Sequence, residues 1–141
     1  MITRIVFLAV VLLLSACTAT TKERVLDAGD QTQLQKRTYQ SRVFDTPDKE
    51  KVMRGVVSTL QDLSFVIERA DFMLGSVSGT KVDKTGLPIK ITVAVRPKGD
   101  KQMSVRANAQ YNIKPIEDPT AYQDFFVSLE KSLFLTAQLG E

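Results

Sequence analysis

The 141-residue chain contains no histidine and a single cysteine, Cys17. Without histidine there is no Ser/His/Asp or Cys/His arrangement and no imidazole ligand for a metal. One cysteine excludes a disulfide within the chain and leaves no thiolate cluster for a metal. Charge of one sign is lacking too: 19 Lys and Arg against 16 Asp and Glu leave a formal +3, too mild a bias to point to nucleic acid. Nor is there a long apolar run. Residues 5–14 are unbroken apolar, but Ser15 interrupts and residues 18–23 are mostly polar, whereas a spanning helix needs about 20 apolar residues. The route to catalysis that remains is a carboxylate pair. Asp45, Glu68, Asp71 and Asp83 are the candidates near strand ends, but their spacing matches no catalytic motif and turn chemistry accounts for them. The chain is therefore read as non-enzymatic, with no catalytic, metal or cofactor residues.

The N-terminus combines three features. Arg4 is the only charge before Lys22, an apolar stretch follows it, and Leu14-Ser15-Ala16-Cys17 closes it. A positive start, an apolar run and a small-residue cleavage site describe an export signal. An ordinary secretory signal does not explain a cysteine directly after Leu-Ser-Ala. These four residues resemble the lipobox of bacterial lipoproteins, in which cleavage precedes the cysteine. That resemblance implies cleavage between Ala16 and Cys17, a diacylglycerol on the Cys17 thiol and an acyl chain on its amine. Two or more chains give stable membrane attachment where one does not. Thr18 follows in place of the aspartate that commonly retains Gram-negative lipoproteins in the inner membrane, so the resemblance implies the periplasmic face of the outer membrane. Cleavage removes Arg4, leaving 18 basic against 16 acidic residues, a charge of +2.

Residues 17–37 contain only Val25, Leu26 and Leu34 as sizeable hydrophobes. Such a stretch buries too little to offset its ordering entropy and reads as an acylated, flexible tether. About 20 flexible residues span roughly 25 Å root-mean-square. Residues 38–141 read as one α+β periplasmic domain, a usual size for a single core.

Within that domain, Tyr39, Ser41 and Val43 alternate with Gln40, Arg42 and Phe44, which suggests a first strand. Thr46-Pro47-Asp48 reads as helix entry, with threonine as N-cap and proline at the first helical position. Val52, Met53, Val56, Val57, Leu60 and Leu63 then form one helical stripe. Residues 64–69 and 74–82 read as a hairpin with Ala70-Asp71 in its turn. Gly75 and Gly79 in the second arm imply close helix packing, or else a ligand. Residues 83–88 read as a loop. Ile89, Ile91, Val93 and Val95, and then Met103, Val105, Ala107, Ala109, Tyr111 and Ile113, give the clearest alternation, joined at Pro97-Lys98-Gly99-Asp100. Asp118-Pro119 opens a last helix with Tyr122, Phe125, Phe126, Leu129, Leu133 and Ala137 on one stripe. The expectation is a two-layer sandwich, β-α-β-β-β-β-α, with two helices on one face of an antiparallel sheet of about five strands.

Such a sheet is wet on its other face, here carrying Lys90, Thr92, Arg96, Arg106, Asn108, Gln110 and Asn112. Arginine with Asn and Gln forms directed hydrogen bonds, so this face is the candidate surface for an envelope protein, a complex or an anionic glycan. Strand addition at a sheet edge is another route to a partner. An acylated tether leading to a βαββββα domain also resembles the small periplasmic domains of Gram-negative accessory lipoproteins, including those of the outer-membrane β-barrel assembly complex. The expected function is a lipid-anchored envelope lipoprotein that binds or organises another envelope component. The other reading is a periplasmic carrier of a small amphipathic ligand, held between helices and sheet in a cavity bordered by Gly75 and Gly79.

Overall fold

Alternating apolar positions in two consecutive arms make a hairpin the natural centre of this domain. In the computed structural model, which describes residues 33–138 and their side chains to Phe134, that hairpin is β4 (Pro88–Lys98) and β5 (Gln102–Tyr111). Around it lie α1 (residues 33–40), β1 (Ser41–Phe44), α2 (Lys49–Asp62), β2 (Val66–Asp71), β3 (Ser76–Val82), β6 (Lys114–Pro115) and α3 (Pro119–Gln138). The sheet is antiparallel throughout, in the order β1-β5-β4-β3-β2, with β6 also on β5. β2 to β5 form a meander. α2 carries the chain from β1 at one edge to β2 at the other. The architecture is α+β and sandwich-like.

Register decides which face is buried. Ile91 pairs with Ala109, Val93 with Ala107 and Val95 with Val105, and these positions turn toward the helices. Val52, Met53, Val56 and Leu60 of α2, with Tyr122, Phe125, Phe126 and Leu129 of α3, complete one core. Phe125 and Phe126 meet edge to face at 5.1 Å between centroids, a favoured aromatic arrangement. α2 and α3 approach at Gly55, where an added Cβ meets Leu133 Cδ2 at 2.7 Å.

Several local expectations need correction. Residues 38–40 are helical, so the structured chain includes residues 33–37 and the first strand begins at Ser41. Tertiary contacts hold α1: Tyr39 lies 5.4 Å from the Tyr122 ring, Gln40 Nε2 donates to Tyr122 Oη, and Lys36 pairs with Glu117. The chain's two compact units divide between Gln35 and Lys36. The N-cap of α2 is Asp48, not Thr46, since Asp48 Oδ1 accepts from Lys51 N at 2.9 Å, one turn into the helix. Pro47 therefore precedes the cap. Asp118-Pro119 does open α3, with Asp118 Oδ1 accepting from Thr120 N.

Ser64 belongs to the end of α2 rather than to a strand. Its φ is +66°, Ser64 N donates to Gln61 O and Phe65 N donates to Leu60 O, which together form a Schellman motif. The strand starts at Val66 and runs through Asp71, so Ala70-Asp71 end β2 and the turn spans residues 72–75. The described sheet has six strands and there are three described helices, one strand and one helix more than expected. β6 is two residues long, too short for periodicity to show it.

Candidate functional site: the open face of the sheet

On the face away from α2 and α3, paired positions form rows across the strands. Lys90 pairs with Thr80 and Gln110, and Thr92 with Ser78 and Asn108. Arg106 stands between Ala94 and Ser41, while Arg96 pairs with Ser104. Arg96 and Arg106 are thus diagonal neighbours, a spacing within reach of long side chains. Lys90, Thr92, Arg96, Asn108 and Gln110 are exposed and Arg106 is partly buried. Five residues singled out from the sequence, Lys90, Arg96, Arg106, Asn108 and Gln110, therefore share one contiguous surface. Asn112 does not belong to it: its φ is +55° in the turn after β5, and its N–H donates to Pro88 O. Arg69 and Lys98 extend the face, by pairing of Arg69 with Ser78 and of Lys98 with Gln102.

Among the described residues, Lys90, Arg96 and Arg106 take part in no ion pair. Arg106 Nε is shielded from solvent and has no hydrogen-bond partner. Its flanking residues Ala94 and Ser41 are small, so the guanidinium lacks a neighbouring carboxylate. Lys36, Arg42, Arg54 and Arg69, by contrast, each pair with a carboxylate. Arg42 donates to Glu130 at 2.9 Å with its guanidinium over the Phe126 ring, and Arg54 donates to Glu50 one turn away. Acids around the open face are engaged: Arg69 pairs with Asp71 at 3.3 Å, Thr80 Oγ1 donates to Glu68, and Gln102 Nε2 donates to Asp45. The result is a polar face with unopposed positive charge.

The sheet edges are less inviting. β1 has four residues, and the pairing of β2 shifts between Ile67 and Arg69. Short or bulged edges resist strand addition.

Of the four candidate carboxylates, Glu68 and Asp71 lie on β2, while Asp45 follows β1 and Asp83 follows β3. Asp45 accepts from Gln102 Nε2, and Asp71 caps the β2–β3 turn through Leu74 N. That backbone hydrogen bond, reinforced by Arg69, holds the Asp71 carboxyl below its usual range. Asp83 accepts from the hydroxyls of Thr85 and Tyr111 and from the N–H groups of Thr85 and Leu87. Led by the Thr85 hydroxyl, these bonds lower its pKa to about 2. Asp45 and Asp100 do border one wide depression, with Lys98 and Lys101, and all four side chains are exposed. Among the described residues there is no group of three or more His, Cys, Asp or Glu placed to hold a metal.

Neither Gly75 nor Gly79 lines the cavity between helix and sheet, and of the two only Gly75 meets a helix side chain. Gly75, at φ +67°, is closed in by Val95 O, 2.4 Å from an added Cβ, and by the Lys49 stem of α2; Gly79 is closed in by Val66 O at 2.9 Å. The close neighbour at each is first a strand carbonyl. The cavity between helix and sheet lies elsewhere, lined in part by Phe65, Lys81, Ile89 and Phe125.

Ala16 and Cys17, with the rest of the expected export signal and most of the expected tether, lie outside the described residues. No described helix is long and apolar enough to cross a membrane. Comparison of the sequence with protein-family models and with curated proteins finds no match to either.

Proposed function

We propose that this chain is a lipoprotein of the Gram-negative envelope, anchored through acylated Cys17 at the periplasmic face of the outer membrane. There it binds or organises another envelope component without catalysing a reaction. The anchor rests on the sequence Leu14-Ser15-Ala16-Cys17. The binding role rests on one observation: Lys90, Arg96 and Arg106 share an uncovered sheet face with Asn108 and Gln110, and no carboxylate is paired to them among the described residues. Unopposed cations on a flat polar surface favour an acidic partner, and the amides add directional hydrogen bonds. The partner in this reading is an envelope protein or complex. An anionic glycan satisfies the same donors and is separated from it by whether binding survives glycan digestion.

The test uses full-length protein extracted from membranes, with Arg96→Glu and Arg106→Glu combined. Both side chains lie on the face away from the core, so circular dichroism should be unchanged. Affinity for the captured partner should fall by about tenfold or more. Unchanged capture with an intact fold would rule out this face. A Cys17→Ala chain tests the anchor separately, and lipid-dependent retention of that variant in membranes would refute it.

A further inference from the structure

A cavity of about 260 Å³ lies between the first turns of α3, the ends of β3 to β5 and the segment that follows α2. Its walls are apolar because of where small residues fall. Ala109 on β5 and Ala121 on α3 stand where larger side chains would fill the space, while Ile89, Ile91 and Phe125 form the sides. An apolar wall of this extent gains from an apolar occupant.

Three polar side chains reach the lining, and they are not equivalent. The Tyr122 hydroxyl is fully engaged: it donates to Ile116 O and accepts from Ala109 N and Gln40 Nε2. Asp124 is exposed on α3. Lys81 occupies an inward position of β3, two residues beyond buried Gly79 and opposite Ile89. Its ammonium sits 4.5 Å over the Phe65 ring and donates to Leu63 O at 3.3 Å. A lysine has three donors, so two remain. No carboxylate, Asp124 included, lies within ion-pair distance of it among the described residues. An apolar chamber bordered by an ammonium without a counter-charge has the chemistry of an amphiphile site.

We infer that this cavity binds a single-chain amphiphile with an anionic head, its tail between α3 and the sheet and its head at Lys81. A cavity of this volume suits one short chain rather than a two-chain lipid. A free medium-chain fatty acid and a lysophospholipid share this chemistry. The inference does not depend on the docking role of the open face, which is the opposite side of the sheet.

The test uses the full chain carrying Cys17→Ala, so that no acyl group of its own competes. Decanoate, decanol, decyltrimethylammonium and an anionic decanoyl lysophospholipid are titrated, with calorimetry and the methyl resonances of Ile89, Ile91 and Ile116 as readouts. Decanoate or the lysolipid should bind and shift these methyls, and the better ligand identifies the source. Decyltrimethylammonium should bind at least about tenfold more weakly, which is about 1.4 kcal/mol. Lys81→Met keeps the apolar stem and should remove the preference for decanoate over decanol. Ala121→Trp, at an exposed helix position, should block every probe while leaving the fold intact. Binding of neither anionic probe, equal binding of the cationic probe, or binding unaltered in both variants would overturn the inference.

Discussion

Gly75→Ala and Gly55→Ala remove the same kind of residue from opposite constraints, and the structure sets different outcomes for them. At Gly75 the backbone is in the left-handed region, at φ +67°, which costs an L-residue about 1–2 kcal/mol. The new Cβ also meets Val95 O at 2.4 Å. That carbonyl cannot easily retreat, because Val95 N donates to Gly75 O at 2.8 Å and β4 is paired on both sides. Overpacking of this kind costs about 1–3 kcal/mol, against a gain of about 0.4–1 kcal/mol from the less flexible unfolded chain. The net loss should be about 1–4.5 kcal/mol. At Gly55 the contact is the tip of Leu133, at 2.7 Å, on a partly buried side chain that can rotate. Displacing it costs about 0.5–1.5 kcal/mol, and alanine recovers up to about 1 kcal/mol of helix propensity. The net change should lie within about 1 kcal/mol of zero. Urea unfolding followed by circular dichroism measures both. A Gly75→Ala loss below about 1 kcal/mol, or a Gly55→Ala loss as large as that at Gly75, would refute this reasoning.

Other outcomes follow from single sites. Ser64→Gly should stabilise the domain by about 0.5–1 kcal/mol, since glycine relieves the left-handed strain of the Schellman position and loses part of that gain to unfolded-chain entropy; a lower urea midpoint would contradict it. The Asp83 carboxyl titrates at about 2 when folded against an ordinary 3.8, so the stability it contributes is complete above about pH 4 and is lost as pH falls toward 2. Urea midpoints measured from pH 5 to pH 2 should therefore fall less steeply for Asp83→Asn than for the parent chain, and parallel curves would refute the assignment. Phe126→Ala, which removes a ring 1% exposed at the centre of the core, should cost about 3–5 kcal/mol in the same assay.

The sequence makes some of this plain and hides the rest for identifiable reasons. The β4–β5 hairpin is legible because a sheet buried on one face must alternate, and Val93 and Val105 do so on either side of Gly99. α3 is legible because its aspartate-proline entry and its aromatic stripe agree. α1 is not. Its helical state depends on Tyr39, Gln40 and Lys36 meeting Tyr122 and Glu117, residues some 80 positions away, and local alternation from Tyr39 to Phe44 argues for a strand.

The entry of α2 is ambiguous because Thr46 and Asp48 are both good caps; Thr46 Oγ1 instead accepts from Asp48 N in the preceding turn. The strand glycines Gly75 and Gly79 suggested helix packing on the sheet, whereas the approach of the two helices to each other occurs at Gly55, inside the stripe already read as core. The polar face was legible from alternation alone, with Asn112 the exception, because a positive φ removes it from the strand. The cavity beside Lys81 depends on which strand and helix positions stack across layers, and no one-dimensional pattern carries that information.

The most direct measurement is site-specific photo-crosslinking in intact cells, with the photoreactive residue placed at Thr92 in the middle of the open sheet face or at Arg54 on the outer surface of α2. Both positions are exposed, so neither placement should disturb the core. One discrete envelope-protein adduct should form from Thr92 and none from Arg54, and the Thr92 adduct should be lost when Arg96→Glu and Arg106→Glu are combined with it. No adduct at Thr92, or one that persists through the charge reversal, would contradict docking at this face.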